Sequence, residues 1–284
     1  MTFSDIRFSD LHFALPVAEI QAALANPKVI FVLAASAVLM ITLFAAWYTK
    51  KPASFEAAVK SGSTVRIRAY FKSTGLAPND KDTDGMSFLF RALQNHASIK
   101  VLNWLVKKGG GLHDRNNRGE SAFTVAIVSK NTPDVLRWLK HKGLDVNERG
   151  IDGLTPLMIA IQENTPVKIV DTLLDMGARV SDRADFGITP LMLAAGQNLN
   201  PYVLLTLLKH GAGLNDRSAE GATPLMLAAG LNPNAVEIVE ILLDCGAKAS
   251  ARDKEGRTAI DYAKNNPALA DTETFWRLNN SSYD

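Results

Sequence analysis

Five histidines, one cysteine and a short glycine-rich stretch are the first places to look for chemistry in this chain of 284 residues. His12, His96, His113, His141 and His210 are scattered, and no two share the close helical spacing that presents a pair of imidazoles to zinc. Cys245 has no histidine or acid placed by the sequence to draw off its proton, so it reads as a packing residue and not a nucleophile. Lys107-Lys108-Gly109-Gly110-Gly111 does not have the form of a phosphate loop, and it reads as a turn that ends a helix. Neither a GxSxG elbow nor a dinucleotide fingerprint occurs. The chain is therefore expected to be non-enzymatic, with no cofactor, no metal and no small-molecule substrate.

Composition narrows the class further. Hydrophobic residues make up 47% and charged residues 21%, as in a globular protein and unlike a disordered or collagen-like one. The net charge of +2, from 31 Lys and Arg against 29 Asp and Glu, argues against a nucleic-acid partner. A single cysteine excludes an intrachain disulfide.

The apolar residues are unevenly spread. Val29 to Tyr48 is a run of 20 residues without a formal charge. At about 1.5 Å per helical residue it reaches roughly 30 Å, the thickness of a bilayer's hydrocarbon core. Trp47 and Tyr48 mark one end, and Lys28 on one side with Lys50 and Lys51 on the other bound it. A buried core helix rarely runs so long without a polar stripe. A cleaved signal peptide would have a basic start and a shorter apolar stretch, whereas 28 residues carrying Asp5, Asp10 and Glu19 precede this one. The run is predicted to be a transmembrane helix over 29–48. Lys50, Lys51, Lys60, Arg66 and Arg68 follow it, so the positive-inside bias puts the long C-terminal part in the cytoplasm. Within the tail, residues 1–28, Pro16 to Asn26 is expected to form a short helix, with Pro in its first turn.

The strongest signal is a repeat. GLTPLMIA, GITPLMLA, GATPLMLA and GRTAIDYA begin at Gly153, Gly187, Gly221 and Gly256, at intervals of 34, 34 and 35 residues. Weaker copies begin at Gly119 and Gly85, and LLDMGA, LLKHGA and LLDCGA recur at Leu173, Leu207 and Leu242. Thr155, Thr189, Thr223 and Thr258 are placed to cap a helix through their hydroxyls, and Pro156, Pro190 and Pro224 fill its first position, where no amide donor is needed. A second helix follows a polar loop and ends at a glycine. One such unit cannot bury its apolar face alone, so neighbours must stack.

The pattern D-x-x-G-x-T-P-L-x-x-A-A followed by V-x-x-L-L-x-x-G-A resembles the ankyrin repeat and covers about residues 52–284. The resemblance implies an all-α solenoid of helix-turn-helix units of about 34 residues, preceded here by one transmembrane helix. Two features depart from the family. Met158, Met192 and Met226 stand where it usually has histidine, which replaces a hydrogen-bond network with apolar packing. The loop between helices carries one extra residue, as at Asn200-Pro201, a length that resembles bacterial ankyrin proteins; together with the apolar run over 29–48, that resemblance implies the bacterial inner membrane as location. Phe55 to Gly75 looks like a worn first unit, and Asp271 to Leu278 like a last helix whose Phe275 and Trp276 cover the end of the stack.

The resemblance also implies that turn tips and first helices line a concave face that contacts a protein partner. Residue by residue, this selects Arg118; Ile151, Asp152 and Leu154; Asp185, Phe186 and Ile188; Glu220; and Lys254. Ile151, Leu154, Phe186 and Ile188 are large and apolar where turn tips are normally polar, and charged residues flank them, as at an interaction surface. The alternative is that these side chains tuck between neighbouring turns. Arg115, Arg149, Arg183, Arg217 and Arg252 form a column that reads as a solvated ridge, neutralised by the acids Asp114, Glu148, Asp182 and Asp216 just before four of them. The expected function is a membrane-tethered interaction module acting as scaffold, recruiter or inhibitor. The alternative is a subunit of a membrane complex whose transmembrane helix takes part in assembly.

Overall fold

A computed structural model describes residues 54–197 and 200–282. The expected tail helix and the span over 29–48 lie outside the described residues, among which no helix is long and apolar enough to cross a membrane. The described chain is helical, with a single isolated bridge between Lys81 and Ser87.

Helices alternate in pairs, a short inner one and an outer one. They are α1 (Phe55–Lys60) and α2 (Thr64–Thr74), α3 (Phe88–Gln94) and α4 (Ile99–Lys107), and α5 (Ala122–Val128) and α6 (Pro133–His141). The later pairs are α7 (Pro156–Gln162) and α8 (Val167–Asp175), α9 (Pro190–Gln197) and α10 (Pro201–Lys209), α11 (Pro224–Leu231) and α12 (Ala235–Asp244), and α13 (Ala259–Ala263) and α14 (Glu273–Ser281).

The inner helices start where the hydroxyls predict. Ser87, Ser121, Thr155, Thr189 and Thr223 each accept a hydrogen bond, at 3.2–3.4 Å, from the amide three residues on. Thr258 departs from the prediction. Asp261 competes for its hydroxyl, so Thr258 donates to that carboxylate at 2.9 Å, and its own amide does the same. Outer helices end at Gly109, Gly143, Gly177, Gly211 and Gly246, whose φ of 85–95° is left-handed and disfavours any residue with a Cβ.

Burial follows the repeat. Ala126, Ala160, Ala194 and Ala228 are inaccessible or nearly so, and their small size lets inner helices approach more closely than outer ones. A stack whose inner row is the tighter one curves towards that row. Met158, Met192 and Met226 are buried in it, as the loss of histidine implied. Buried amides stitch successive units together: Asn131 donates to the Leu93 carbonyl at 2.8 Å, Asn232 to Ala195 at 2.8 Å and Asn266 to Ala229 at 2.9 Å. Each bonds a carbonyl at the end of the preceding inner helix and so joins two units through a buried polar contact; the Leu93 carbonyl accepts from the His96 amide as well.

The ends differ from the middle. At the N-terminal end Phe55, Tyr70, Phe71 and Phe88 pack edge to face, with Phe55 and Phe88 ring centroids 4.7 Å apart, and Phe71 stacks on Trp104. At the C-terminal end the expected aromatic cover is only half right. Leu278 is fully buried and Phe275 partly so, but Trp276 is 58% exposed and stands edge-on to Phe275. Helix α14 runs beyond Leu278 to Ser281, and the face it turns into the stack carries Thr274 and Leu278 rather than Trp276. Cys245 also departs from expectation: it caps the C-terminus of α12, and its thiol is exposed rather than packed.

Candidate partner-binding face

The turns that join successive units are built on one position, three residues before each turn glycine. Asp82 accepts from the amides of Asp84 and Met86, Asn116 from those of Arg118 and Glu120, and Asp253 from those of Glu255 and Arg257, all at 2.9–3.0 Å. Ser218 makes one such bond, to the Ala222 amide at 3.1 Å. Asp253 is the most elaborated. Its burial opposes ionisation, yet the Tyr262 hydroxyl at 2.7 Å, the Arg257 guanidinium at 2.9 Å and the two amides outweigh that and hold its carboxyl at about 2.

In the two middle turns this anchor is missing, because Gly150 and Ala184 occupy the position. There the tip changes conformation. Asp152 and Phe186 adopt left-handed backbone, with φ of 54° and 56°, followed by Gly153 and Gly187 at 68° and 70°. Two consecutive left-handed residues make the tight hairpin-like turn that favours Asp-Gly and penalises a bulky residue such as Phe. The turn-to-turn ladder changes with it. Asn117, Ala219 and Lys254 donate to the carbonyls of Asp84, Phe186 and Glu220 in the preceding turn, at 3.1, 2.7 and 3.0 Å. Among the described residues no corresponding bond joins Ile151 to Arg118 or Asp185 to Asp152.

These loosened tips carry the apolar residues singled out in the sequence. Phe186 is 78% exposed and Ile151 56% exposed, while Leu154 and Ile188 are half-buried against the stack. Arg118, Asp152, Asp185, Glu220 and Lys254 are all exposed. Ile151 and Leu154 meet in one cleft of about 160 Å³ between α5 and α7, together with Val128 and Ile159 and with Glu120 and Glu163 at its edges. That is smaller than the roughly 300–1,000 Å³ of a small-molecule site and suits single side chains. Phe186, Ile188, Glu220 and Lys254 lie outside this cleft, along the same row of turns.

The family match is decisive here. Overlapping matches to ankyrin repeats, in three-copy sets, run over residues 89–184, 130–218, 157–253 and 191–271. The chain belongs to the ankyrin-repeat family. Ankyrin repeats are protein–protein interaction modules, and no catalytic family is indicated. No curated protein matches the chain at a significant level. Among the described residues no cluster of three or more His, Cys, Asp or Glu is placed to hold a metal ion.

The ankyrin turns also explain the arginine column, in a way the sequence did not suggest. The guanidiniums of Arg115, Arg149, Arg183 and Arg217 face the following repeat rather than the acid before them, while Arg252 donates to Gly256 in its own turn. Arg149 donates to the Gly153 carbonyl in its own turn and to the Arg183 carbonyl one repeat on, at 3.2 and 2.6 Å, and approaches Asp182. Arg183 repeats this with Gly187, Arg217 and Asp216, and Arg217 with Gly221 and Arg252. Arg115 pairs with Glu148, and Lys81, one repeat earlier, takes Asp114 at 3.0 Å. The column is a staple between repeats, and its donors are directed into the protein.

Sequence reasoning missed the half-buried floor beside the turns. Ile159, Leu193 and Leu227 occupy one register position on successive inner helices, and Leu231 is 61% exposed at the end of α11. The signal was present in the strings MIA, MLA and MLA, where an apolar residue follows each buried methionine. It was indistinguishable from core because an apolar residue in a short helix does not reveal which side it faces.

Proposed function

We propose that this chain is a membrane-tethered, non-enzymatic module that binds a protein partner along the turns and inner helices of its second to fifth units. The observation that carries the reading is Phe186, an aromatic side chain held 78% exposed on a left-handed backbone. Both the solvation of the ring and the backbone strain disfavour the arrangement in the isolated protein, and such features concentrate at binding sites. The cleft at Ile151 and Leu154 would take an apolar side chain of the partner, and Glu120 and Glu163 at its edges, with exposed Asp152 and Asp185 on the turn tips, favour basic flanking residues. The span over 29–48 serves as the tether, with the repeats on the cytoplasmic side of a bacterial inner membrane. Tethering raises the local concentration of the face near other membrane proteins.

The test is site-directed crosslinking of the full-length protein in cells. A photoreactive residue in place of Phe186 should capture a defined partner, and one in place of Tyr202 on the outer helix α10 should not. The Phe186→Asp variant should lose co-purification of that partner while keeping its helical content. Equal capture from both positions, or unchanged co-purification, would remove the turns from the binding surface.

A further inference from the structure

The outer helices are electrically polarised along the stack. Helices α2, α4 and α6 carry seven Lys and Arg against one acid, Asp134, which pairs with Arg137. Helices α8, α10 and α12 carry two against five. On α2, Arg68 and Lys72 are exposed one turn apart, and on α4 Lys100 and Lys107 are exposed two turns apart. Spacings of four and seven residues keep each pair on one face. Arg137 and Lys142 continue the row on and after α6. Exposed Val65 and half-buried Trp104 lie among these cations.

We propose that this basic outer face of the first three units docks on the anionic headgroups of a phospholipid bilayer. The charge is complementary, and neither α2 nor α4 contains a carboxylate that would be repelled. The chain supplies proximity, and here the inference rests on the tether reading. Only five residues, 49–53, separate the apolar run from Ser54, and at about 3.6 Å each they reach no further than about 20 Å. The face is therefore held close to the range over which surface charge acts, a Debye length of about 8–10 Å. The acidic outer helices of the later units follow in the same row, where lipid of like charge opposes them, so the contact is confined to the first three units.

The full-length protein is reconstituted into vesicles of phosphatidylcholine alone and of phosphatidylcholine with about 30% phosphatidylglycerol. Lysines are then acetylated with a water-soluble ester and read by mass spectrometry. Lys72, Lys100 and Lys107 should react at least about threefold more slowly in the anionic vesicles, with Lys209 and Lys254 unchanged and the difference gone in about 0.5 M salt. A variant combining Arg68→Gln, Lys72→Gln, Lys100→Gln and Lys107→Gln should lose the protection at Lys108 and Lys142. Equal reactivity in the two lipids overturns the proposal and leaves the face to an acidic protein. Equal slowing at Lys254 also overturns it, as non-specific adsorption.

Failure of the tether reading shows separately, as protein that a carbonate wash strips from neutral vesicles. In that case the same protein is mixed with preformed anionic vesicles. Flotation that the fourfold variant abolishes upholds the docking face, and absence of flotation overturns it.

Discussion

Phe186 allows strain and exposure to be separated by substitution. A residue with a Cβ in left-handed backbone is disfavoured by about 1–2 kcal/mol, and asparagine largely escapes this because its side chain hydrogen-bonds locally. The ring gives little in return. With 78% of the residue exposed, it buries about a fifth of roughly 200 Å², worth at most about 1 kcal/mol at 25 cal/mol per Å². Phe186→Asn should therefore be as stable as the parent or more stable by about 0.5 kcal/mol, a rise in midpoint of about 1–2 °C. Phe186→Ala loses the same ring without relieving the backbone, and should fall below the asparagine variant by about 1 kcal/mol. Urea unfolding of the full-length protein in mild detergent, followed by circular dichroism, resolves a difference of that size. If the alanine variant equals or exceeds the asparagine one, the left-handed backbone is not a strained feature and the argument for Phe186 as a retained binding residue collapses. The asparagine variant should also lose co-purification of the partner that the crosslink identifies, so that stability and binding move in opposite directions.

Three further outcomes are expected. Replacing Arg149 with Gln should cost about 1 kcal/mol in urea unfolding, because two carbonyls in successive turns lose a charged donor. Arg149→Lys should restore little of it, since one ammonium cannot match the fork, and full recovery with Lys would reduce the staple to a simple ion pair. Asn131→Ala, which removes the buried amide that bridges α5 to the Leu93 carbonyl, should cost about 1 kcal/mol and speed amide exchange in α3 before the later units. Acid should loosen the C-terminal repeat first. Lys264 and Thr258 hold Asp261 at about 2, as the Tyr262, Arg257 and amide contacts hold Asp253 despite its burial. Carboxyls depressed in this way stabilise the fold above their ordinary value, and that contribution is lost as the pH falls from about 4 towards 2. An Asp253→Asn variant should show a shallower decline in urea midpoint over that window, and an unchanged slope would dissociate Asp253 from acid stability.

Much of the fold is legible because its causes are local. The hydroxyl before each inner helix, the proline at its first turn and the glycine after each outer helix act through backbone geometry within a few residues, and each is visible in the string. The exceptions arise where a neighbour intervenes. Thr258 gives its hydroxyl to Asp261, Cys245 faces solvent at a helix end, and α14 inserts Leu278 rather than Trp276. The first is a competition between two side chains three residues apart, and the other two depend on which side of a short helix meets the stack, which apolar periodicity in five to ten residues does not determine.

The candidate site divides in the same way. The sequence by itself determined that the chain is an array of ankyrin units, which turn tips carry Ile151, Asp152, Phe186 and their neighbours, and that an apolar run of membrane-spanning length precedes them. Those are matters of spacing and residue type, to which covalent order is sufficient. Only the tertiary structure decided that Gly150 and Ala184 leave two turns without their side-chain acceptor. It also decided that Asp152 and Phe186 are left-handed there, that Ile151 and Leu154 share a cleft with Val128 and Ile159, and that four of the five arginines staple the repeat after their own. All of these depend on contacts between residues about one repeat apart or on the direction of a turn, and both are fixed only when one unit packs against the next.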